Sequence, residues 1–220
     1  MDKKLLLDKT RDYVKRTLEG AEGGHDWFHI ERVAHNAKLI AKGEEADPFI
    51  VELGALLHDI ADAKFHNGDE SVGPEKATAF LQSLEVPSDV IQHIVNIIVH
   101  ISFKSSLGND HTDKFDSPEL RVIQDADRLD AIGAIGIARA FNYGGFKNRS
   151  LYDPGIAPDP NQDKEAYKKS KAPTINHFYE KLLLLKDKMN TETGKRIAHK
   201  RHQFMEQFLD QFYDEWNGKI

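Results

Sequence analysis

Apolar residues recur at helical spacing along almost the whole chain, with no convincing period-two alternation, and this confines the fold to helices packed on helices. The pattern predicts a first helix over Lys3–Leu18, stopped by Gly20. A second begins after Gly23-Gly24, with His25 or Asp26 as its cap and Trp27, Ile30, Val33, Ala37 and Ile40 on one face. Asp47-Pro48, a cap followed by proline at the first helical position, opens a third that runs through the apolar stretch Val51–Leu57 to His58-Asp59. Further helices are expected near Gly73–Leu84, Pro87–Ile101 and Pro118–Phe141. Asn142–Ala172 differs in kind, holding Gly144-Gly145, three of the eight prolines and several lysines, and reads as a long irregular segment. Loops of that length in a compact domain are usually functional or disordered. Two long helices, Thr174–Met189 and Thr191–Trp216, close the chain around a turn near Asn190. The expected architecture is all-α: a single domain over 1–220, with a compact helical bundle over about 20–141, the loop 142–172 and additional C-terminal helices over 173–217.

Within this pattern His58-Asp59 ends a greasy helix, His29 lies upstream, and Asp127 downstream, each in a helical context of its own. An aspartate among apolar neighbours costs several kcal/mol unless its charge is compensated, and a bound cation compensates it. Two imidazoles and two carboxylates drawn from three helices suffice to hold one divalent metal. His29 borders the apolar face of its helix, and Gly54, one turn before His58, would let another helix come close. Asp127 and Asp130 stand one turn apart on a largely inward side. Taken singly, each has a plainer reading: a satisfied core histidine, or an aspartate capping a loop or pairing with Arg32 or Arg128. Only the ordered set points to a metal. Two nitrogens and two carboxylate oxygens suit Mn, Fe, Co, Ni or Zn better than Mg.

Composition narrows what such a site can serve. The chain has no cysteine, which removes disulfides, thiolate-bound zinc and cysteine nucleophiles, and the expected compartment is a reducing cytoplasm. Lys and Arg number 30 against 36 Asp and Glu, a net charge of −6, which speaks against duplex nucleic acid as a partner but not against a small phosphorylated substrate. No apolar stretch approaches the length of a membrane span, and the N-terminal charges follow too soon for a signal peptide.

The segments His25-Asp-Trp-Phe-His29, Leu57-His-Asp-Ile-Ala-Asp-Ala-Lys64 and Gln124-Asp-Ala-Asp-Arg-Leu-Asp130 resemble the H…HD…D motifs of the HD-domain metal-dependent phosphohydrolases. The similarity is closest to a bacterial group of about this length, some of which are nucleotide pyrophosphohydrolases. It extends to Asn176-His-Phe-Tyr-Glu-Lys-Leu and Met189-Asn-Thr-Glu-Thr-Gly-Lys in the tail. The resemblance implies an HD-domain helical bundle in which His29, His58, Asp59 and Asp127 are the metal ligands. It also implies a nucleotide substrate, with a nucleoside triphosphate split into monophosphate and pyrophosphate.

Other residues are candidates for the surrounding chemistry. Asp62 could hold a water or act as general base, or be a surface or capping aspartate. Lys64 and His66 could meet phosphates, or lie in a solvated loop. His100 closes an otherwise buried helix and could contact phosphate or transfer a proton. Together with His66 and His93 it stands where two-metal relatives place extra ligands, but the local motifs look unlike theirs, so one metal is expected. Asp130 could orient a ligand or water. Arg139, His177 and Lys181 are weaker candidates for phosphate. The run Lys164–Lys171 reads as a solvated face or a lid. Lys195, Arg196, Lys200 and Arg201 fit an exposed helical face. Two other functions stay open: hydrolysis of a 5′-nucleotide, cyclic nucleotide or alarmone, and a non-catalytic helical module that binds metal and nucleotide. A homodimer is an assembly left open.

Overall fold

The computed structural model describes residues 2–21, 24, 26–61, 69–101, 115–161 and 170–220, and among them every regular element is helical. The chain forms two compact units, the first running to Asp127 and the second from Arg128.

The first unit holds α1 (Lys3–Thr17), α2 (Trp27–Ala41), α3 (Pro48–Leu57), α4 (Val72–Ser83), α5 (Ser88–His100) and most of α6 (Pro118–Asp130). α3 starts as its sequence dictates: Asp47 accepts hydrogen bonds from the backbone N–H of Phe49 and Ile50, with Pro48 in the first turn. Every residue of Val51–Leu57 is buried, and α1, α2 and α5 pack around this helix. An apolar surface on all sides leaves a helix no place but the centre. The one charge in that stretch, Glu52, is answered by Arg11 of α1 and by Lys38 Nζ of α2 at 3.2 Å. Gly54 supplies the close approach its sequence position foretold. A Cβ there would lie 2.7 Å from Ile123 Cδ1 of α6 and 3.3 Å from Ile97 Cδ1 of α5.

The second unit is built from α7 (Gly133–Phe146), α8 (Thr174–Glu180), a 3-10 helix (Leu182–Lys188) and α9 (Glu192–Trp216). Phe141, Phe178 and Phe208, one from each α-helix, form its aromatic centre with ring centroids 5.9 to 6.0 Å apart. Thr191 caps α9 by accepting from Gly194 N–H at 2.9 Å.

Three expectations about elements are corrected. The helix expected over Pro118–Phe141 is two helices, because Ile132 is extended and Gly133 takes φ +76°. At that point the Arg201 methylenes pack 3.0 to 3.2 Å from where a Gly133 Cβ would stand. The irregular segment starts later than Asn142, since α7 continues to Phe146. The helix expected over Thr174–Met189 breaks at Lys181 (φ −143°), and a 3-10 turn follows. Its three-residue period puts Leu182 and Leu185 on one side, and both are buried. Among the described residues no helix is long and apolar enough to cross a membrane.

Candidate metal centre

Three of the four expected ligands converge. One nitrogen each from His29 and His58 and one carboxylate oxygen of Asp59 all lie within 4.8 Å of one another. His29 stands in the first turn of α2, where Asp26, the cap, accepts its backbone N–H at 2.9 Å. Its ring is buried and meets the His58 ring edge-on, with centroids 5.5 Å apart. His58 is the residue that ends α3, so it and Asp59 leave the helix where the chain turns and can reach the same point. His58 Nδ1 lies 2.8 Å from the Ala55 carbonyl. A carbonyl only accepts, so Nδ1 carries the proton and Nε2 keeps its lone pair for a ligand. The fourth residue, Asp127, approaches from α6: Oδ1 is 3.5 Å from His29 Nε2, and its side chain is 44 % exposed. A buried nitrogen side and a wetter carboxylate side give the site an open face.

The donors fit a single ion. Metal–nitrogen bonds of about 2.1 Å place neighbouring donors roughly 3.0 Å apart and opposite ones about 4.2 Å apart. The His29, His58 and Asp59 donors, within 4.8 Å of one another, therefore need only a small inward closure, whereas Asp127 stands beside His29 but outside that group of three.

Residues outside the expected set tie together the helices that carry these donors. Asn36, two turns after His29 on α2, donates to the carbonyl of Ala126 at 3.3 Å, next to Asp127. Glu119 accepts from Asp47 N–H at 2.9 Å and lies 3.3 Å from His93 Nε2. This gives His93 a structural partner. Asp125, two residues before Asp127, is fully buried. Its signal in the sequence is its place in the aspartate-rich segment beside Asp127 and Asp130.

His100 is half-buried at the end of α5, with Nδ1 2.8 Å from the Asn96 carbonyl and its ring tilted against Phe115 at 5.6 Å. Gln124 donates to its carbonyl at 3.0 Å. Asp62, Lys64 and His66 lie outside the described residues, as do His25 and most of the Lys164–Lys171 run. Asp130, Arg139, His177 and Lys181 belong to the second unit. There Asp130, 1 % exposed, is ion-paired with Arg139, whose guanidinium also donates to the Asp130 carbonyl at 3.2 Å. His177 and Lys181 stand one turn apart near Arg149. Burial, with help from those two cations, pushes the His177 imidazole down to about 4.

Two histidines and two carboxylates from three helical segments make this a candidate centre for a divalent metal in an all-α protein. A family model for the HD domain matches residues 27–132, which contain all four. The Bacillus subtilis protein YpgQ is 38 % identical over 200 residues, covering 90 % of this chain and 87 % of its own. A crystal structure of an HD-superfamily hydrolase from Bacillus thuringiensis superposes with a TM-score of 0.78 at 43 % identity, covering 98 % of this chain and 99 % of that one. A structure of YpgQ in complex with ADP superposes with a TM-score of 0.73 at 35 % identity, covering 98 % and 97 %. The chain belongs to the HD-superfamily hydrolases and is a metal-dependent phosphohydrolase.

Proposed function

We propose that the protein hydrolyses nucleoside triphosphates to the monophosphate and pyrophosphate, using one divalent ion of the Mn, Fe, Co, Ni or Zn type held by His29, His58, Asp59 and Asp127. The observation that carries this reading is the convergence of His29, His58 and Asp59 in a chain related to a protein crystallised with ADP. Such an ion supplies Lewis acidity, making a water acidic near neutral pH and drawing charge from a phosphoryl oxygen.

The chain's own residues do the remaining work. The Ala55 carbonyl fixes the His58 ring, the Asp26 cap fixes the start of α2, and Asn36 fixes the backbone beside Asp127. A donor set held this rigidly needs little reorganisation when the substrate arrives. Asp62 and His100 are the candidates to move the proton, with Lys64 and His66 candidates for phosphate.

The overall change adds one water across the α–β anhydride, the bond between the bridging oxygen and phosphorus breaking as pyrophosphate leaves. The test is a panel of nucleoside triphosphates, 5′-nucleotides, cyclic nucleotides and alarmones incubated with metal-loaded protein, assaying phosphate and pyrophosphate separately. Pyrophosphate release from triphosphates is expected. Turnover confined to another class redirects the assignment to it, and no turnover with any of the five ions overturns it.

A further inference from the structure

The second unit carries a concentration of charge that the metal centre does not use. α9 opens with Lys195, Arg196, His199 and Lys200, all exposed, within its first nine residues. Two forces oppose that arrangement. The first turn of a helix carries partial positive charge from unpaired N–H groups, which disfavours Lys195, the one basic residue within it. Arg196 and Lys200 are also one turn apart, a like-charge spacing that weakens a helix. Local acids relieve little of this. Glu192 takes Lys195 at 2.7 Å and Asp187 takes Lys186 at 3.7 Å. Among the described residues Arg196, His199 and Lys200 make no ion pair.

These side chains, with Asp187 and Glu192 on the same wall, line an open surface groove of about 690 Å³ between α9 and the 3-10 helix. Lys200 also borders a second cavity, of about 320 Å³, walled by Ile132, Ala134, Ile135 and Phe204. Ile135 and Phe204 leave 44 % and 48 % of their surface to water. A solvated apolar recess that shares Lys200 with a largely cationic groove of this size matches a ligand with one flat apolar end and one polyanionic end.

We propose that the paired cavities are a second nucleotide site, which shares no residue with the metal centre and needs no metal. The phosphate chain lies along Arg196, His199 and Lys200, and the base rests against Ile135 and Phe204. Bound phosphate offsets the cationic repulsion along α9, which explains why a run that weakens the free helix is tolerated there. The recess and the chain's net charge of −6 favour a small nucleotide over a nucleic-acid strand.

The test is calorimetry on the full chain in excess EDTA, with ATP, tripolyphosphate and adenosine as probes. One ATP per chain is expected, displaced by tripolyphosphate and weakened by salt. Arg196→Gln/Lys200→Gln should lower ATP affinity at least tenfold, and raise the melting temperature of the ligand-free protein by relieving repulsion. Phe204→Ala should weaken ATP but leave tripolyphosphate unchanged. No ATP binding in EDTA, unchanged affinity in the double variant, or an oligonucleotide that outcompetes ATP overturns the proposal. Because the readout is binding without metal, its failure leaves the hydrolytic reading standing, and absence of turnover leaves this one standing.

Discussion

The His58 ring is aimed by a backbone carbonyl and the His29 backbone by its cap, and Asp59 brings the site a negative charge. Asp59→Asn keeps the volume and removes that charge, so it isolates the electrostatic contribution. Divalent-ion affinity is expected to fall about 100-fold or more, and the rise in melting temperature that ions give the parent protein should vanish with it. Metal content after gel filtration and thermal melts with and without Mn check both. Ion-dependent stabilisation retained in Asp59→Asn would remove Asp59 from the ligand set. Asp130 poses the opposite case, a buried carboxylate already satisfied by Arg139. Arg139→Ala leaves it without its main partner and should cost about 3 kcal/mol in urea unfolding, with Arg201 nearby moderating the loss. A cost below about 1 kcal/mol would show that the pair does not hold Asp130 in place.

Helices were legible where apolar spacing was strong, as in α2 and α3, and the HD dipeptide was legible because it ends one of them. The break before α7 was not. Gly133 and Gly136, three apart, suit a tightly packed continuous helix as well as an interruption, and the choice falls to Arg201, far downstream. The supporting residues Asn36 and Glu119 were illegible for the same reason, since each acts through a contact between elements. Two glycines show how differently such contacts constrain a helix. A Cβ on Gly54 meets side-chain methyl ends, the Cδ1 atoms of Ile123, Ile97 and Ile94, so Gly54→Ala should stay within about 1 kcal/mol of the parent, the gain in helix propensity offsetting the crowding. A Cβ on Gly136 would lie 2.2 Å from the backbone oxygen of Ala131, which cannot rotate away. Gly136→Ala should therefore cost about 2–4 kcal/mol, read from denaturant midpoints, and the opposite ranking would refute this account of the break.

Across the whole molecule, stability should respond to pH through His177 before most carboxylates begin to protonate. The imidazole is mostly buried on α8, with Lys181 and Arg149 close enough to repel a proton, and its native value is about 4 against 6.5 for the free group. Between those values the unfolded chain binds a proton that the native protein refuses, so the folded state loses ground as pH falls. The loss develops below about pH 6.5, approaches its full extent near pH 4, and amounts to about 3 kcal/mol at most. Above pH 7 this residue adds no slope. His177→Asn removes the titration while keeping a polar side chain, so its stability relative to the parent should rise steadily as the solution is acidified. Urea unfolding of both proteins at intervals from about pH 7.5 to 4.5 measures that difference directly. If the two curves stay parallel over the whole interval, His177 takes up its proton equally well folded and unfolded, and burial beside two cations is not what governs it.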